Sequence, residues 1–237
     1  AWTPGRAYPH THGGVRLLSE TASARLATPI EVKPEELERR ASGYDPRAAS
    51  VHFPAPWPGG AWRLADVVET QLQASLAILE HAAANREHWL RTALATNRRA
   101  SARTEPFAFV LPAGQRDPSA VARLVEVLRL GEVAIDRAAA PFEAGGRAYA
   151  AGALVVRMQQ PASGFAKTVL ERQRYPDLRE HEGAPPKRPY DVTAHTLPLL
   201  LGVEVDTVGA AFEAPLEPVE DEGVPPGRVE GEGPWIA

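Results

Sequence analysis

The chain contains no cysteine. That excludes disulfide staples, thiolate metal sites and a cysteine nucleophile, and it leaves the redox compartment open. Long apolar runs are missing too. The longest, Leu197-Pro198-Leu199-Leu200-Leu201, falls far short of the roughly 18 residues a membrane helix needs. Positive charge is not in excess, since 26 Lys and Arg face 30 Asp and Glu for a net charge of −4. Neither a nucleic acid nor a membrane is therefore an expected partner. A Gly-x-Ser-x-Gly elbow is absent, and Gly145-Gly146 does not continue into a phosphate-binding fingerprint. The opening residues, Ala1 to Arg6, carry no initiator Met and no signal-peptide pattern. They read as the interior of a longer chain.

What remains is an ordinary globular composition, 44% hydrophobic and 24% charged over 237 residues, enough for two modest domains. The run Gly-Gly-Val-Arg-Leu-Leu-Ser-Glu over residues 13–20 predicts a short buried strand with Glu20 at its tip. Residues 27–32 predict a second extended piece, and 34–38 one or two helical turns. Three prolines and two glycines over 53–60 predict a stiff connection. Leu64, Val68, Leu72, Leu76, Leu79, Ala83, Leu90 and Leu94 recur at three- and four-residue spacing. They predict one long amphipathic helix over 64–95.

The polar, basic stretch 98–105 marks the expected domain boundary. Beyond it, 107–111 predicts a buried strand, followed by a helix capped by Asp117, opened by Pro118 and stopped by Gly131. Residues 133–135 predict the next strand, completing a βαβ unit with a right-handed crossover. Gly145-Gly146 and Ala151-Gly152 punctuate a following pair of short strands, the second member over 153–158. Helices are predicted at 164–172 and at 191–201, the latter bent at Pro198, and a strand at 203–205. From Glu213 the tail holds seven acids against Arg228 alone and is expected to be loosely ordered.

Five stretches carry a family resemblance: Tyr8-Pro9-His10-Thr11-His12-Gly13-Gly14, Leu17-Leu18-Ser19-Glu20-Thr21, Pro106 to Pro112, Pro141 to Gly146, and Pro189-Tyr190-Asp191-Val192-Thr193. In this order they resemble the C-terminal part of a bacterial carboxypeptidase A-like zinc metallopeptidase followed by a glutamine-amidotransferase-like domain. The fold class implied is α/β: a remnant of the peptidase domain with one long helix over 1–97, a linker at 98–105, a small three-layer α/β domain over 106–212, and the tail 213–237. The resemblance implies that Glu20 is the general base for hydrolysis of a peptide bond by metal-activated water, with Tyr8 a weaker match to a substrate-side tyrosine. It also implies zinc in the complete enzyme and leans toward a secreted or periplasmic location.

The family grips zinc through His-x-x-Glu and a distant His, and none of the chain's seven histidines has Glu three residues later. The Arg and Asn-Arg set that holds a substrate carboxylate in the family likewise has no counterpart. The chain alone is therefore expected to bind no zinc and to be inactive. His10 and His12 would point the same way on an extended strand and form a low-ranking alternative metal pair. Asp191 and His195, four apart on the predicted helix, are better read as a cap and its neighbour than as a base pair. Amidotransferase chemistry is excluded by the missing cysteine. The expected partners are a peptide substrate or a preceding peptidase segment, with self-association through an open edge. A non-catalytic interaction module on a degenerate peptidase scaffold is the rival reading.

Overall fold

A computed structural model describes residues 4–22, 27–37, 45–51, 53–174, 176–188, 195–220 and 223. It is mixed α/β, with its strands paired antiparallel among the described residues. The chain forms two compact units, residues 17–89 and residues 1–16 with 90–237. The expected boundary at 98–105 lies elsewhere than this division, and its first residues are helical.

In the larger unit a five-stranded sheet runs β8-β3-β7-β4-β9, every neighbour antiparallel. Its strands are β3 (Ala108–Leu111), β4 (Asp136–Ala138), β7 (Leu154–Arg157), β8 (Asp206–Val208) and β9 (Leu216–Pro218). All four residues of β3 are buried, because both sheet faces are covered. Phe109 and Leu111 face one way, into a core with Leu124, Leu128, Val156, Met158 and Phe165. Ala108 and Val110 face the other way, against Phe142, Tyr149 and Val208. The first core is roofed by α4 (Pro118–Leu130), α5 (Ser163–Leu170) and α6 (Leu197–Leu201). The second is closed by a hairpin, β5 (Phe142–Ala144) with β6 (Arg147–Tyr149).

Helix α4 begins where the sequence predicts, the Asp117 carboxylate accepting from the Ser119 and Ala120 amides at 2.9 and 3.1 Å. Its expected βαβ partner is displaced. Residues 133–135 form no strand: Val133 N–H donates to the Leu128 carbonyl, and Gln160 takes both backbone groups of Ala134. The strand starts at Asp136 and is separated from β3 by β7, so β3 and β4 share a direction but are not neighbours. The predicted strand at 203–205 moves three residues on for the same reason, since Gln115 binds the backbone N–H and carbonyl of Glu204. The tail is corrected as well. Its first part forms β9 against β4, and Phe212, Ala214 and Leu216 pack on the second core. Of the helix predicted over 191–201, only Leu197–Leu201 is seen, stopped by left-handed Gly202, while 191–194 lie outside the described residues.

The strand predicted over 13–20 does not form. Residues Pro4–Thr11 make a helix, α1, closed when the His12 and Gly14 amides donate to the Pro9 carbonyl, and 14–22 follow as irregular backbone. In the smaller unit β1 (Ile30–Val32) pairs with β2 (Gly60–Trp62), and Pro34–Glu36 form a 3₁₀ turn as predicted. Gly59 has φ of +90°, and a Cβ there would lie 2.7 Å from the Val32 carbonyl oxygen. The predicted single helix is two, α2 (Leu64–Ala84) and α3 (Arg86–Ser101). Asn85 interrupts it, its side-chain amide donating to the His81 carbonyl at 2.9 Å and competing with the helical ladder.

Candidate functional site

Glu20 stands on an ordered but irregular platform. The Gln71 side chain, on α2, accepts from Ser19 Oγ at 2.6 Å and donates to the Ser19 carbonyl at 3.2 Å and to Thr21 Oγ1 at 3.4 Å. Trp62 Nε1 donates to the Ala22 carbonyl at 2.9 Å. The residues on both sides of Glu20 are thus pinned, while its own carboxylate is exposed and without a hydrogen-bond partner among the described residues. Gln71 escapes a sequence reading because a glutamine on an apolar helix carries no motif; its only signal is its place on the flank of the stripe.

Tyr8, His10 and His12 lie in the other unit, on and just after α1. Because the segment is helical, the strand alternation that would aim both imidazoles together does not apply. His10 is exposed. His12 is fully engaged: Nε2 lies 2.9 Å from the Gly131 carbonyl oxygen, and Nδ1 contacts the Tyr8 carbonyl and Thr11 Oγ1. With Nε2 against the Gly131 carbonyl and Nδ1 against the Tyr8 carbonyl and Thr11 Oγ1, both ring nitrogens are occupied within the protein. Tyr8 stacks near His12 and meets the Phe165 ring edge-on at 5.5 Å. In this setting Tyr8 and His12 seat α1 on the α/β core.

The described residues do not fit zinc. Among them no three His, Asp or Glu side chains gather closely enough to hold a metal ion. No described helix is long and apolar enough to cross a membrane. Asp191 lies outside the described residues, so its pairing with His195 has no geometry here.

The larger unit carries a charged network that motif reading missed. Arg147 Nη1 reaches Asp206 at 2.7 Å and Glu204 at 2.9 Å, and Tyr149 Oη donates to the same Asp206 oxygen at 3.0 Å. The Glu204 hydrogen bond is the leading cause that makes the Arg147 guanidinium more basic. Burial first, then the bond to Asp206, pushes the Tyr149 phenol up to about 12. The network ties hairpin β5–β6 to β8. Behind it, a cleft of about 210 Å3 opens at the end of β3, lined by Pro112, Gln115, Pro118, Arg137 and Leu154 among others. The start of α4 offers it little for an anion, since Asp117 already takes two amides and Pro118 has none.

No family model, curated protein or solved structure matches the chain.

Proposed function

We propose that the chain is a C-terminal portion of a zinc-carboxypeptidase-like peptidase, in which Glu20 is the proton-transferring carboxylate and the metal ligands are supplied from outside this chain. The observation that carries this reading is the state of the segment just before Glu20. Leu17 and Leu18 are 59% and 54% exposed, on irregular backbone that joins no ladder among the described residues. Adjacent residues of a strand face opposite ways, so two leucines in sequence ask for cover on both sides. That is the pattern of a core strand whose sheet neighbours are supplied from elsewhere. The pinning of Ser19 and Thr21 by Gln71 holds the backbone on both sides of Glu20.

The test is the release of C-terminal amino acids from a peptide by the product of the full reading frame that contains this chain. Glu20→Gln is expected to lower turnover by about 10²- to 10⁴-fold, the usual worth of a positioned acid–base group. Unchanged turnover sinks the assignment of Glu20. Elemental analysis of the present chain alone should find no stoichiometric zinc and no release; stoichiometric zinc would place the ligands within it and overturn the reading.

The rival, a non-catalytic interaction module, is favoured by a separate observation. The outer face of α2 is a continuous exposed apolar stripe. On that reading Glu20→Gln changes nothing and the chain's affinity for its partner is the measurable function.

A further inference from the structure

The geometry points to α2 as a self-association helix: we infer that two copies of the chain pair through it, antiparallel, with Ser75 near the two-fold axis. Leu64, Val68, Leu72, Leu76 and Leu79 are 46%, 57%, 48%, 51% and 65% exposed, although a 21-residue helix carries them. At about 100° per residue they share one stripe, and Val67, Gln71 and Ala74 on its flank are the less exposed side of the helix. From Thr70 to Leu79 there is no charged side chain. The middle of the stripe therefore meets another surface without stripping water from an ion.

A second copy fits this stripe in one orientation. With Ser75 of one helix opposite Leu76 of the other, Leu72 lies against Leu79, and Val68 against the small Ala83. The charges then sort themselves. Glu69 and Glu80, at the edge of the stripe, fall opposite Ala82 and Gln71, while Asp66 lies on the far side of the helix and caps its start through the Arg63 amide. A parallel pair would instead set Glu69 and Glu80, at the edge of the stripe, each beside its own copy, two like-charge contacts. The stripe is thus complementary to itself only when one helix is reversed, and Ser75 supplies the small residue that lets the two backbones approach at the centre. The inference goes beyond the peptidase reading and does not rest on it.

The experiment is sedimentation of the full chain over about 1 to 100 µM, a range that brackets micromolar dissociation constants. A concentration-dependent dimer is expected, and Leu72→Glu/Leu76→Glu should leave a monomer at every concentration. Both leucines are exposed, so circular dichroism of the variant should retain the helix signal. The absence of native cysteine makes orientation readable. Ser75→Cys should form an intermolecular disulfide readily, whereas Leu64→Cys should not, its two copies lying about 35 Å apart in the antiparallel pair. A monomer throughout, a dimer that survives the double glutamate, Leu64→Cys cross-linking as fast as Ser75→Cys, or a different protein held on the stripe by an otherwise monomeric chain each overturns the inference. Zinc content and Glu20→Gln report on the peptidase reading independently of all these.

Discussion

Gly131→Ala isolates one steric contact and makes the sign of its effect diagnostic. Gly131 caps α4 at φ −86° and ψ 16°, a conformation that alanine adopts without strain. On backbone grounds alone the substitution should stabilise by about 0.4–1 kcal/mol, because alanine restricts the unfolded chain. A Cβ at this position, however, would lie 2.2 and 2.3 Å from two ring carbons of Phe165. That ring is buried and cannot turn freely. Tyr8 meets it edge-on at 5.5 Å and His12 lies at 5.8 Å, while the Gly131 carbonyl itself accepts from His12. Overpacking of this kind costs about 1–3 kcal/mol, so the net effect should be a loss of about 1–2 kcal/mol. Urea unfolding followed by circular dichroism measures it, and Phe165→Leu supplies the second arm of a double-mutant cycle. In the leucine background the cost of Gly131→Ala should vanish or reverse. A more stable single variant, or the same penalty in both backgrounds, would refute the argument.

Two further predictions concern groups that motif reading passes over. The Tyr149 phenol, raised to about 12 from 10.0, stays protonated in the fold at a pH where the unfolded chain loses its proton. Its contribution is therefore complete below about pH 10 and is lost as pH rises from about 10 to 12, by up to about 2 kcal/mol. Tyr149→Phe should flatten that part of a stability-versus-pH curve; an unchanged slope would show the phenol to be irrelevant. Gln160→Leu leaves the Ala134 N–H and carbonyl without the partners that Gln160 provides at 2.7 and 3.0 Å. A destabilisation of about 1–3 kcal/mol in urea is expected, and a value within experimental error of zero would mean that water replaces the amide.

Elements set by local chemistry are legible in the sequence. Asp117, Pro118 and Gly131 bracket α4 because a cap, a fixed φ and a stop are properties of neighbouring residues. Gly145-Gly146 reads as a turn for the same reason, although the strand on its N-terminal side, β5, is not foreseen. The errors share a different cause. At 133–135 and 203–205 short apolar runs have the composition of strands, but glutamines from 26 and 89 positions away hold their backbone groups, and pairing begins three residues later. Residues 13–20 have that composition too and no neighbour to pair with among the described residues. Of the candidate site, Glu20 is singled out through resemblance alone. Gln71, which fixes its surroundings, becomes visible only when α2 and the 19–21 segment are placed side by side.

The two units differ in what keeps them ordered, and that difference joins Glu20 to the outer face of α2. Both buried cores belong to the unit that contains β3 and α4. Within 17–89 no described side chain is buried, so order there rests on the β1–β2 ladder and on polar pins such as Gln71 with Ser19. Each pin is worth about 1 kcal/mol net. At 21 residues α2 exceeds the length below which an isolated helix is marginal, so pairing adds to its stability without being required for it. Pairing of two α2 stripes would withdraw five large apolar side chains per copy from solvent. Each is half exposed, so each contributes about 1 kcal/mol, and the sum exceeds what the pins supply. A stabilised α2 keeps Gln71 in place, and Gln71 keeps the backbone around Glu20 in place. Pairing through the stripe would thus reinforce the helix whose Gln71 holds the backbone on both sides of Glu20.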